Sequence, residues 1–74
     1  MASIIIYTSD TCIRCKLVKG LLDSHGVKYT EATDKQIAID KGLIEVPALE
    51  VDGKIIEGYG LVLTWLDENG YYTI

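Results

Sequence analysis

The hydrophobic positions change period several times along the chain. Ile4-Ile5-Ile6-Tyr7 is an unbroken β-branched and aromatic run, closed by the polar stretch Thr8-Ser9-Asp10-Thr11. Such a run reads as a short strand covered on both faces. From about Cys12 to His25 the spacing is helical. Ile13, Leu17, Val18, Leu21 and Leu22 fill one half of the wheel, and Lys16, Lys19, Asp23 and Ser24 the other. Thr11 or Asp10 is placed to cap the start, and Gly26 to end the helix in the left-handed conformation. Val27 to Ala32 then alternates as a strand does. Strand, helix, strand is a crossover unit, so these two strands are expected to run parallel.

Further on, Thr33 with Gln36 makes a capping-box signal for a short helix from about Asp34 to Gly42, although Ile37, Ala38 and Ile39 scatter around its wheel. Leu49 and Val51, then Asp52-Gly53, then Ile55 and Ile56 spell a two-residue hairpin. Leu61, Val62, Trp65 and Leu66 form a last apolar stripe, with Thr64, Asp67 and Glu68 opposite and Asn69-Gly70 at its end. The tail Tyr71–Ile74 carries no pattern. The expected order is β-α-β-α-β-β-α, an α/β arrangement in one domain over residues 1–74.

Composition narrows the function. The chain has 74 residues, 49% of them hydrophobic, which suits one small core. A net charge of -4 argues against a nucleic-acid or anionic membrane partner. The apolar run near the N-terminus is far too short for a signal-peptide core or a membrane span. The expected compartment is therefore the reducing cytosol, where two neighbouring cysteines are more often catalytic or metal-binding than a permanent staple.

Those two cysteines, Cys12 and Cys15, fall where the first strand gives way to the first helix. A first helical turn offers free backbone N–H groups and the positive end of the macrodipole, both of which favour a thiolate. On the wheel Cys12 lies outside the apolar arc and Cys15 at its edge. This predicts one exposed, activated thiol with a half-sheltered partner, as a nucleophile and its resolving cysteine require. The three-residue separation also suits the Cα spacing of a disulfide. Structural zinc wants four ligands, and the chain has two Cys and one His. Core filler would place both cysteines on the apolar face.

The arrangement resembles the glutaredoxin and thioredoxin superfamily over nearly the whole chain. "IIIYTSDTCIRC" resembles the first strand and active-site turn of glutaredoxins, and "EVPALEVDGKIIEG" the Thr-Val-Pro segment with the strands after it. The resemblance implies a thioredoxin-like fold: a four-stranded mixed sheet covered by three helices, with a cis peptide before Pro47 packed against the dithiol. From the residues alone, Pro47 also suits the start of a strand. The implied activity is thiol–disulfide exchange on a protein or small-molecule disulfide, with Cys12 attacking and Cys15 resolving. Val46, Pro47, Gly58 and Tyr59 are expected along the substrate groove, with Arg14 beside it. Tyr7 is a further candidate flank, while His25, Lys16, Lys19 and Trp65 read as surface or packing residues.

Three departures from the family pattern bear on the partner. Ile13-Arg14 stands between the cysteines in place of Pro-Tyr or Gly-Pro. Ser9 replaces a Lys that contacts a glutathione carboxylate, and Leu61 replaces an Asp that holds the glutathione amino group. These changes argue against glutathione as the preferred reductant and towards a flavoprotein reductase of the thioredoxin-reductase type. No tightly bound cofactor and a monomeric state are expected. The rival reading is an iron–sulfur or other metal-binding module using the same cysteines, since glutaredoxins without proline inside the dithiol can bridge a cluster.

Overall fold

In the computed structural model, residues 3–72 are described, and they form β1 (Ile4–Tyr7), α1 (Ile13–Ser24), β2 (Thr30–Ala32), α2 (Lys35–Asp40), β3 (Ala48–Val51), β4 (Lys54–Glu57) and α3 (Tyr59–Glu68). The strands make one mixed sheet in the order β2-β1-β3-β4. β1 runs parallel to β2 and antiparallel to β3, and β3 and β4 form the hairpin. Both residues of its turn, Asp52 and Gly53, have positive φ (51° and 86°), as a turn matched to the twist of the strands requires. Of the unpatterned tail, Thr73 and Ile74 lie outside the described residues. Tyr71 closes the end of α3, its amide donating to the Leu66 carbonyl at 2.8 Å.

The sheet separates two clusters. Ile4 and Ile6 of β1 and Leu49 of β3 meet Val18 and Leu22 of α1 and Val62 and Leu66 of α3. Ile6, Leu22, Leu49 and Leu66 are fully buried there, each such side chain contributing about 1.5–3 kcal/mol. On the opposite face Tyr7 and Ala48 meet Leu43, with Ile5, Ala32 and Ala38 packed around them. The strand run is continuous because α1 and α3 cover one side and α2 with its following loop covers the other.

Several expected boundaries shift. The buried line of α1 is Cys15–Val18–Leu22, whereas Ile13 is 75% and Leu17 53% exposed. The periodicity gives the width of the apolar arc but not which part of it meets the sheet. Cys12, in extended conformation, caps α1 itself, in place of Thr11 or Asp10. β2 is shorter than expected because Gly26 and Val27 turn back onto the end of α1, donating to Asp23 and Leu22 carbonyls. Asp34, not Thr33, caps α2, accepting from the Gln36 amide at 2.9 Å. In α3 the exposed Leu61 (63%) leaves the stripe, and Leu63 packs against the core instead. Tyr7 lies buried on the α2 side, not along a groove.

Tyr7 donates its hydroxyl to Glu50 Oε1 at 2.9 Å, and Lys41 Nζ pairs with the same oxygen at 3.2 Å. The Tyr7 bond foremost, with Lys41 beside it, holds the Glu50 carboxyl below the usual carboxylate range. Burial, then the bond to Glu50, pushes the Tyr7 phenol up. A carboxyl lowered in the folded state adds stability that is present above its unfolded pKa and lost as pH falls through the folded value. Glu50→Gln is therefore expected to flatten part of the stability loss below the ordinary carboxylate range, measured as urea midpoint against pH. An unchanged acid slope would remove Glu50 from that role.

Candidate active site

The β1–α1 junction is built by a turn in which the Cys12 amide donates to the Ser9 carbonyl at 3.2 Å. That turn leaves Cys12 at the N-cap, where Ser, Thr or Asp usually offers an oxygen to the free amides of the first turn. Here the acceptor is sulfur: the Cys15 amide donates to Cys12 Sγ at 3.1 Å. Cys12 and Cys15 are joined as a disulfide with Cα atoms 5.2 Å apart, inside the ordinary range. Cys15 is completely buried, more than its expected place at the edge of the arc, and Cys12 is half-buried where full exposure is expected. The asymmetry between the two sulfurs survives, shifted inward as a pair. The reason is the rotation of α1 that puts Cys15 in the core line.

The second wall comes from the segment before β3. The Val46–Pro47 peptide is cis, and Pro47 is fully buried. Gly58 ties this segment to α3: its amide donates to the Pro47 carbonyl at 3.2 Å, and its own carbonyl accepts from Val62 to open the helix. Gly58 holds φ +97°, a conformation that L side chains rarely adopt. Tyr59 follows, and Arg14 places its guanidinium over the Tyr59 ring, 5.2 Å from the centroid. The first turns of α1 and α3 thus meet across a cation–π contact. Arg14 is exposed.

Two residues of this wall were not evident in the sequence. Glu57, the last residue of β4, accepts the amides of Ile44 and Glu45 on its Oε2, at 2.5 and 2.9 Å. These charge-assisted bonds hold the loop that leads into Pro47. Glu45 in turn lies against Gly58. Nothing in hydrophobic period or motif spacing marks either acid, because their role depends on a loop closing onto a strand end. Among the described residues, no group of three or more His, Cys, Asp and Glu side chains gathers as a metal would need.

The model of the glutaredoxin family matches residues 4–56 of the chain. The chain belongs to the glutaredoxin family. Membership and the bonded Cys12–Cys15 pair support a redox thiol function. No curated protein matches the sequence significantly. Among solved structures, a variant of the thioredoxin-like protein BC3987 is 25% identical, with a TM-score of 0.66 over 77% of this chain and 86% of its own. A buckwheat glutaredoxin in complex with glutathione is 20% identical, with a TM-score of 0.71 over 96% of this chain and 73% of its own. Glutaredoxin 1 from Francisella tularensis, complexed with cacodylate, is 17% identical, with a TM-score of 0.69 over 99% and 100%. The last two share the fold: four mixed strands and helices on both faces.

Proposed function

We propose that this glutaredoxin-family chain is a dithiol oxidoreductase that reduces protein or small-molecule disulfides through Cys12 and Cys15. The observation that carries the reading is the Cys15 amide aimed at Cys12 Sγ at the start of α1. In the reduced protein that N–H and the helix dipole favour the thiolate at Cys12. Cys12 attacks one substrate sulfur, forming a mixed disulfide, and the other substrate sulfur leaves and takes a proton. Cys15 gives its proton to solvent and attacks Cys12 Sγ. The Cys12–Cys15 bond closes and the second substrate thiol leaves, so two electrons pass from the dithiol to the substrate. Arg14, Tyr59, Gly58, the Val46 backbone and Pro47 border the groove that receives the substrate. A flavoprotein reductase restores the dithiol, with glutathione the slower donor. The protein cycles as a monomer in the cytosol, where a reducing pool sustains such a pair.

The test is a trap. A Cys15→Ser protein keeps the attacking thiolate and loses the resolving one. Incubated with a disulfide-bonded peptide, it is expected to accumulate a one-to-one mixed disulfide at Cys12, read by intact mass and released by dithiothreitol. A Cys15→Ser protein that turns over as fast as the unmodified one and forms no adduct would sink the resolving role.

A further inference from the structure

Glu45 has its backbone held in place while its carboxylate takes part in no hydrogen bond or ion pair among the described residues. Its amide is held by Glu57 Oε2 at 2.9 Å, beside that of Ile44, and the next peptide leads into the buried Pro47. A Cβ on Gly58 would fall 2.8 Å from Glu45 Oε2, so the carboxylate occupies the space that a side chain at position 58 would take. The glycine leaves that space open, and Glu57 holds the backbone from which the Glu45 side chain reaches into it. The two ion pairs among the described residues are Lys19–Glu31 and Lys41–Glu50, and neither involves Glu45.

Glu45 also adjoins the proposed groove, since it precedes Val46 and its carboxylate lies against Gly58. Glu45 and Val46 line a cleft of about 270 Å³ together with Ser9, the residue whose carbonyl accepts the Cys12 amide. Asp34 and Lys35 line the same cleft. Its charged lining is thus two carboxylates against one ammonium, while Arg14 sits apart over Tyr59. A substrate lying along Val46 and Gly58 would therefore pass beside the Glu45 carboxylate, whose field favours a cation.

We infer that Glu45 is a specificity-determining residue that selects disulfides bearing an ammonium or guanidinium group close to the reacting sulfur. This rests on the thiol–disulfide reading above and deepens it by naming a substrate class.

The experiment uses the pre-reduced full chain and three small disulfides of similar size: cystamine (a dication), bis-hydroxyethyl disulfide (neutral) and dithiodiglycolate (a dianion). Oxidation of the protein is quenched with acid, and the remaining thiols are alkylated and counted by mass, giving a second-order rate constant for each. An exposed charge contact changes binding by up to about fivefold. Glu45→Gln is expected to lower the cystamine-to-dithiodiglycolate ratio about threefold to fivefold, and Glu45→Lys by about tenfold or more. Raising the salt to about 1 M, where the Debye length is ~3 Å, is expected to shrink the unmodified protein's ratio towards that of Glu45→Gln. Glu68→Gln removes the same charge at the opposite end of α3 and is expected to leave the ratio within twofold of the unmodified protein.

A ratio unmoved by both Glu45 substitutions overturns the inference, as does an equal shift from Glu68→Gln, which would assign the effect to net charge. The neutral disulfide separates the two levels of argument. If it oxidises the dithiol at an ordinary rate while the ratio stays fixed, only the role of Glu45 fails. If none of the three disulfides reacts faster than with a free thiol, the oxidoreductase reading fails and takes this inference with it.

Discussion

A Cys12→Ser protein is expected to lose disulfide reduction, with a rate on the order of 10⁴-fold or more below the unmodified protein, the scale seen when a single covalent nucleophile is removed. The sulfur at position 12 is the one at the helix N-cap and the one not sealed in the core. A serine oxygen there still caps α1 by accepting the Cys15 amide, so the fold is retained and the loss is chemical. Cys15, completely buried, cannot take over the attack on an external disulfide without opening α1. The measurement is single-turnover oxidation of the pre-reduced protein by a peptide disulfide. In the same reduced protein, alkylation by iodoacetamide against pH is expected to report a Cys12 that ionises below the ~8.5 of a free thiol. Residual turnover within about tenfold of the unmodified protein would place the nucleophile elsewhere, and Cys15 would be the next candidate.

The element order was legible because each piece carries a local signal. Ile4–Tyr7 is continuous, Leu49 to Ile56 alternates around Asp52-Gly53, and the two long helices have clear stripes. What the sequence left open is decided between elements. The rotation of α1 depends on which residues the sheet accepts, and the small Cys15 fits against it where Leu17 does not. The cap at Cys12 depends on the Ser9–Cys12 turn, which favours sulfur over the expected Thr11 or Asp10 oxygen. Of the site, the dithiol announces itself by spacing, whereas Pro47 is marked by the resemblance to glutaredoxins. Arg14 and Tyr59 are plausible singly, but their contact requires α1 and α3 to begin side by side. Glu57 and Glu45 are visible only after the loop before Pro47 has closed onto the end of β4.

Coupling to glutathione is expected to be slow in the unmodified protein, and Ser9→Lys with Leu61→Asp is expected to raise it by roughly one to three powers of ten. The resemblance to glutaredoxins puts a cation at position 9 and an acid at position 61 for the two charged ends of glutathione. Each such contact is worth ~0.5–2 kcal/mol, and the pair sums to that range of affinity. Both sites accept the change. Ser9 is exposed and lines the cleft, and Leu61 is 63% exposed, so neither substitution disturbs the core. An Asp at position 61 also enters the first turn of α3, which holds no acid, at the favourable end of its dipole. If Glu45 selects cationic substrates, it is expected to work against glutathione, because it adds a carboxylate to the cleft that Ser9 also lines. A lysine at position 9 pairs with it in part, so adding Glu45→Gln to the double change is expected to raise the glutathione rate again. The assay follows NADPH consumption with glutathione, glutathione reductase and bis-hydroxyethyl disulfide, beside a parallel series with a thioredoxin-reductase type of flavoprotein. Efficient glutathione coupling before any substitution would mean that Arg14, Lys16 or the Val46 backbone supplies the recognition, and the departures at positions 9 and 61 would then carry no weight in choosing the reductant.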